Sequence, residues 1–392
     1  MFTFPVDLAG LFDERERHFV GWGIPADNVA RARLEITDMW SDGPGGWTTV
    51  WSAQAERALQ DGDLLLASLL YGAARFPCLS TADRRAAFDR QLELYLQAAP
   101  QFPCAFERFV LSVDQGTGKT PVATHLFRPK RGKPGALVVL CGGVDTWKME
   151  VHKIALALVR LGGLTVAAID MPGTGESQVP LAHDSDELLG NTIRQLRERL
   201  GVERAGFFGL SFGGHWAAKL ALTGKVDAAV DLGGPIGADP NIPDLVNLPN
   251  GMTGIIGNAM GFEGPLSESG AQELVNQFSL ARNGLLANKD GSPLLAVNGV
   301  EDIYIPLGDT VVFADRPHST AWIVKDAGHC ADAHVRPIIA GTAGWLAREL
   351  NGGARANALA AVTRLIVSRL LLNPDELPTT GSFEARVEVL SG

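Results

Sequence analysis

Cysteine is scarce in this 392-residue chain. There are four, Cys78, Cys104, Cys141 and Cys330, with no CxxC pair among them. That excludes a disulfide-stapled scaffold and leaves reduced thiols, the state expected of a cytoplasmic protein. Positive charge is also short: 34 Lys and Arg stand against 44 Asp and Glu, a net charge of −10. Without a basic cluster to neutralise phosphates, nucleic acid is not an expected partner. No apolar run reaches about 18 residues without charge, so no membrane-spanning helix is expected. The opening stretch, MFTFPVDLAGLFDERER, has no positive region before an apolar one, so no secretory leader is expected. Internal repeats and low-complexity segments are missing as well.

What remains is a length and an apolar content that allow a large core. The first hundred residues carry helical spacing over Ala26–Trp40, Trp47–Leu70 and Thr81–Ala98, with Ser80 and Thr81 as candidate N-caps. Near Pro103 the pattern changes. Phe106–Val113 and Thr120–Pro129 alternate like strands around the turn DQGTGK. Short, fully apolar runs follow at Ala136–Gly143, Leu164–Gly173, Arg204–Ser211, Val226–Gly234, Pro293–Asp302 and Ala321–His329, separated by helical stretches. Such runs suit strands buried on both faces, and their alternation with helices predicts a mostly parallel, doubly wound α/β sheet. The expected division is a helical N-terminal lid domain over 1–104, a core over 105–350 with a cap insertion at about 237–290, and a C-terminal helix and tail over 351–392. The helix ANALAAVTRLIVSRLLL is amphipathic, with Arg364 and Arg369 expected on its polar side, and suits packing or a homodimer contact.

Several motifs fail. GTGKT at Gly116–Thr120 has Val113 where a phosphate loop needs its first glycine, and no GxGxxG follows a strand. His329 and His334 in HCADAH are spaced i, i+5, which does not place both imidazoles on one helical face. Neither a cofactor nor a metal is expected.

GLSFG at Gly209–Gly213 survives. It follows the apolar run ending in Phe207-Phe208 and precedes the helical HWAAKLALTG. A strand, a sharp glycine-flanked turn and a helix form the setting that raises a nucleophilic serine, here Ser211. A serine needs a base and an orienting acid. Asp302 and His329 both lie just past strand ends, in the expected chain order, with Glu301 as the rival acid. An oxyanion would need backbone N–H groups from Phe212 and from Gly143 or Val144 in the loop CGGVDT. His215 and Trp216, one turn past the serine, are candidate pocket residues. Trp22, Trp40, Trp47 and Trp51 read as core, although their density would also suit an aromatic substrate.

Residues 106–350 resemble the α/β-hydrolases. Three motifs, CGGVDTWK, IDMPGTGES and GLSFGGHWAAKLA, together with the helical N-terminal region, resemble one branch of them. That branch holds 2,6-dihydroxypseudooxynicotine hydrolase, the fungal polyketide-shortening hydrolases of melanin pathways and the fermentation–respiration switch protein group. The resemblance implies a Ser211–His329–Asp302 triad and a site role for Asp145, a substrate-positioning or protonating one. The first two of those groups cleave a carbon–carbon bond beside a ketone. The leading expectation is therefore a serine hydrolase that cleaves such a bond in a small aromatic or polyketide-like substrate through an acyl-enzyme. A carboxylesterase, a thioesterase, an acyl-transferring cyclase and a non-catalytic binding protein on the same scaffold are the alternatives.

Overall fold

The computed structural model describes residues 2–373 except 117, 133, 134, 240–243, 263 and 265. The expected tail beyond 373 and part of the expected cap lie outside the described residues.

Five helices lead the chain: α1 (Leu8–Trp22), α2 (Ala26–Glu35), α3 (Trp47–Gln60), α4 (Leu64–Arg75) and α5 (Ala82–Ala98). The Asp7 carboxylate accepts the Ala9 N–H at 3.1 Å and caps α1. The expected span Trp47–Leu70 is two helices. Gly62 takes φ +80°, and Asp63 starts α4 by accepting the Leu66 N–H at 3.0 Å. The expected helix Ala26–Trp40 stops at Glu35. Trp22, Trp47 and Trp51 are buried with Phe12, Phe19 and Phe76 in the core of this helical region. The Trp47 indole donates to the Ala73 carbonyl at 2.7 Å. Trp40 packs edge-on to Phe4.

An eight-stranded sheet follows: β1 (Ala105–Gln115), β2 (Gly118–Arg128), β3 (Leu137–Cys141), β4 (Thr165–Ile169), β5 (Ala205–Leu210), β6 (Ala228–Leu232), β7 (Leu294–Gly299) and β8 (Ser319–Val324). Their order across the sheet is β1-β2-β4-β3-β5-β6-β7-β8. β1 and β2 pair antiparallel at one edge, β2 pairs antiparallel with β4, and the remaining pairs are parallel. Successive residues of β3 enter different cores: Leu137, Val139 and Cys141 on one face, Val138 and Leu140 on the other. This two-sided burial is why the central strands read as unbroken apolar runs.

Crossover helices cover both faces. α6 (His152–Arg160) lies on the Val138 side, and α7 (Ser185–Leu200) and α8 (Phe212–Leu222) lie on the Leu137 side. The segment between β6 and β7 carries α9 (Met252–Ala259) and α10 (Glu268–Phe278). After β7 comes the short α11 (Leu307–Val311), and after β8 come α12 (Val335–Leu350) and α13 (Gly353–Ser368). α12 joins α6 on the Val138 side. Arg364 of α13 and Arg369 just past its end are exposed, as expected of its polar side. Ala356, Ala360, Thr363 and Val367 pack inward, and Arg364 lies over the Trp322 ring at 5.2 Å. Val362, Leu365 and Ile366 face outward, each more than half exposed. Small residues decide the docked face: a side chain at Gly344 would come within 2.3 Å of the Thr363 hydroxyl.

Two buried charge groups anchor the loop after β3. Lys148, fully buried, pairs with Asp170 and, at 2.8 Å, with Glu176. Arg75 of α4 pairs with Glu150 at 3.0 Å and lies 3.4 Å over the Trp147 ring. Both acidic residues of the DMPGTGES stretch pair with this lysine, and Asp170 also accepts the N–H groups of Lys148 and Glu176.

Candidate active site

β5 ends in a tight turn whose flanking glycines leave no room for side chains. Ser211 adopts φ +55°, ψ −127°, a strained conformation for a residue with a side chain. The surroundings impose it. Ser211 N–H donates to the Leu232 carbonyl at 2.8 Å, and its carbonyl accepts from Gly214 at 2.7 Å. A side chain at Gly209 would meet the Gly213 carbonyl at 1.9 Å, and one at Gly213 would meet the Gly142 carbonyl at 2.5 Å. The hydroxyl is thereby held at the N-terminus of α8, where the unpaired N–H groups favour negative charge.

Three distant residues meet there. His329 Nε2 lies 2.9 Å from Ser211 Oγ, and His329 Nδ1 lies 2.7 Å from Asp302 Oδ2. Asp302 is held on every side. Its Oδ2 also accepts from Asn298 Nδ2 at 2.7 Å, and its Oδ1 accepts the N–H groups of Tyr304 at 2.7 Å and Ile305 at 3.1 Å. Burial pushes the Asp302 carboxyl up, but the His329 imidazole and these donors hold it below the usual carboxylate range. Burial likewise pushes His329 down, and the Asp302 carboxylate outweighs it, so the imidazole sits well above its ordinary value. The rival Glu301 is exposed. Asn298 went unread in the sequence; a buried amide closing an apolar strand was its only signal.

Phe212 and Val144 line the cleft beside Ser211, and Gly143 lies against the serine itself. A side chain at 143 would fall 2.7 Å from Ser211 Cβ. Beneath the turn, Asp231 accepts the Gly234 N–H at 2.7 Å, and burial pushes its carboxyl up to about 8.

Three expected pocket residues stand elsewhere. Trp216 is fully buried against Phe212 and Phe278. The His215 imidazole bonds the Pro235 carbonyl at 2.9 Å, and burial lowers its pKa to about 4. Asp145 does not line the cleft: it is buried and paired with Arg15 of α1 at 2.9 Å. All three are turned away because neighbours distant in sequence supply better partners. The four N-terminal tryptophans also stay clear of the cleft.

The cleft encloses about 120 Å³. Its walls are mostly aliphatic, with Leu245, Leu248, Met252, Ile256 and Leu274 from the segment between β6 and β7, joined by Phe278. Tyr304 and Ile305 close it on the side of the acid. No lysine or arginine lines it among the described residues.

A mostly parallel sheet with a serine on a strained strand-to-helix turn defines an α/β-hydrolase. The family model "Esterase FrsA-like" matches residues 41–320, and the chain belongs to that family. Esterase FrsA of Salmonella typhi is 28% identical over 283 residues, which cover 67% of this chain and 67% of that protein. Among solved structures, AbyA5 wild type superposes with a TM-score of 0.75 at 22% identity, covering 93% of this chain and 99% of that one. The 2,6-dihydroxy-pseudo-oxynicotine hydrolase superposes with a TM-score of 0.68 at 22% identity, covering 86% and 97%. At these identities the two structures show the shared fold, and the branch expected from the sequence is the one found.

Proposed function

We propose that the protein hydrolyses a carboxylic ester with an apolar acyl or alcohol part, through an acyl-enzyme on Ser211. The hydrogen-bonded chain Ser211–His329–Asp302 at the floor of an aliphatic cleft carries the reading. His329 Nε2 takes the Ser211 proton as Oγ attacks the carbonyl carbon. The oxyanion then lies against the N–H groups of Phe212 and of Gly143 or Val144. His329 passes the proton to the departing alkoxide, and water, deprotonated by the same nitrogen, releases the acid. Asp302 keeps the imidazole in its working tautomer and stabilises the cation that forms.

Cleavage of a carbon–carbon bond beside a ketone is the second reading. The apolar lining of the cleft favours it, because a departing carbanion must be delocalised and protonated as it leaves and an apolar wall limits competing water. The aliphatic walls suit a fused aromatic ring less than they suit an acyl chain. The two readings part on a substrate panel. Rapid turnover of 4-nitrophenyl acyl esters with inert 1,3-diketones and acyl phenols is the expected outcome, and the reverse pattern selects the second reading. Ser211→Ala is expected to lose about a million-fold in kcat. Full activity in that variant would end both.

A further inference from the structure

The N-terminal helix reaches the site. Tyr304, two residues past Asp302, donates its hydroxyl to Glu14 Oε2 at 2.8 Å. Asn250, from the turn that opens the cap, donates to the same Glu14 oxygen at 3.1 Å and to the Tyr304 hydroxyl at 3.2 Å. Glu14 is itself paired with Arg15 at 3.0 Å, and that guanidinium holds Asp145 in the loop beside Ser211. The Tyr304 ring stands edge-on to His329, with centroids 5.4 Å apart. Its backbone N–H is one of the two that bond Asp302 Oδ1. The intervening Ile303 is 55% exposed, so it does not anchor this loop.

We infer that Glu14 is a positioning residue: through the Tyr304 hydroxyl, with Asn250 as the third member, it fixes the loop that aims Asp302 at His329. The inference rests on the Ser211–His329–Asp302 reading above. One helix turn, 290 residues before Tyr304 in the chain, thus sets the geometry of the acid. Reacting groups tolerate little displacement. A shift of about 1 Å costs on the order of a hundredfold in rate, and a tyrosine that loses its hydroxyl bonds to Glu14 and Asn250 lets the loop shift by that much.

Tyr304→Phe removes one oxygen and keeps the ring against His329. It is expected to lower kcat on 4-nitrophenyl butyrate by about ten- to a hundredfold, with KM little changed. The rate at which a fluorophosphonate labels Ser211 is expected to fall by the same factor. Glu14→Ala gives the same loss, and Glu14→Gln, which keeps an accepting oxygen, recovers most of it. The double variant Glu14→Ala/Tyr304→Phe is no slower than either single one, because one linkage is broken only once. Near-UV circular dichroism reports the folded fraction, to which every rate is normalised. Tyr304→Phe with wild-type kcat and labelling, losses confined to the folded fraction, or effects that multiply in the double variant would overturn the role of Glu14. A wild-type protein that is neither labelled nor active would instead overturn the underlying triad reading, and the role of Glu14 with it.

Discussion

His329 sits between two opposing influences, burial and a carboxylate 2.7 Å away, and the carboxylate prevails. Only the neutral imidazole can take a proton, so kcat/KM is expected to rise with pH through an apparent pKa above the ordinary histidine value of about 6.5. Asp302→Asn removes the charge that stabilises the imidazolium. The rising limb should then move to lower pH while kcat falls by about 10⁴; a pH–rate profile of both proteins checks the sign. Asp231 supplies a second test. Burial raises its carboxyl from the usual 3.8 to about 8, so its folded form holds a proton that the unfolded chain releases first. Its contribution is fully present below pH 3.8 and is lost as pH rises to about 8. Asp231→Asn keeps an acceptor for Gly234 and is expected to gain stability over wild type progressively across that window, read as Tm against pH. At this scale the sequence was legible where chemistry needs a residue type at a strand end, as at Ser211, Asp302 and His329. It was not legible for Asp145, Trp216 or His215, whose orientations depend on Arg15, Phe278 and Pro235. Arg15 did leave a trace, as the one charge in the buried stripe Leu11, Phe12, Phe19 and Trp22.

Elements place these residues by excluding alternatives. The turn after β5 and the loop after β3 approach so closely that glycine alone fits at 143. Gly143→Ala is expected to lower the Tm, since Ser211 Cβ is fixed by its backbone and cannot move aside, and to lose at least about a hundredfold in kcat as the oxyanion donors move. Circular dichroism beside the kinetics checks both halves. The cap sets the space instead. Ile256→Trp fills the far wall of the cleft and is expected to shift preference toward shorter acyl chains in a series of 4-nitrophenyl esters. Central strands were readable because burial on both faces leaves continuous apolar runs. The break between α3 and α4 was not read, although Asp61-Gly62-Asp63 carries it, because helical spacing resumes at once on the far side. α1 was hidden by its charges: Asp13, Glu14, Glu16 and Arg17 crowd the stretch that a periodicity reading would need.

At the scale of the molecule, the helical region and the sheet are joined by charges out of reach of water. Arg75 and Glu150 are both fully buried, and Glu150 also accepts from Gln91 of α5 at 2.6 Å and from the Trp147 N–H at 2.7 Å. Glu150→Gln leaves the guanidinium uncompensated and is expected to cost about 3–5 kcal/mol in denaturant unfolding. Adding Arg75→Met should restore much of that loss, because the lone buried charge is then gone. Among the described residues no helix is long and apolar enough to cross a membrane. Ser211, Asp302 and His329 hang from the ends of β5, β7 and β8, while most of the wall that faces them belongs to one stretch threaded between β6 and β7. In the proposed hydrolysis, reactivity and appetite are therefore heritable apart: a lineage can change its diet by rewriting that single stretch and keep its chemistry intact.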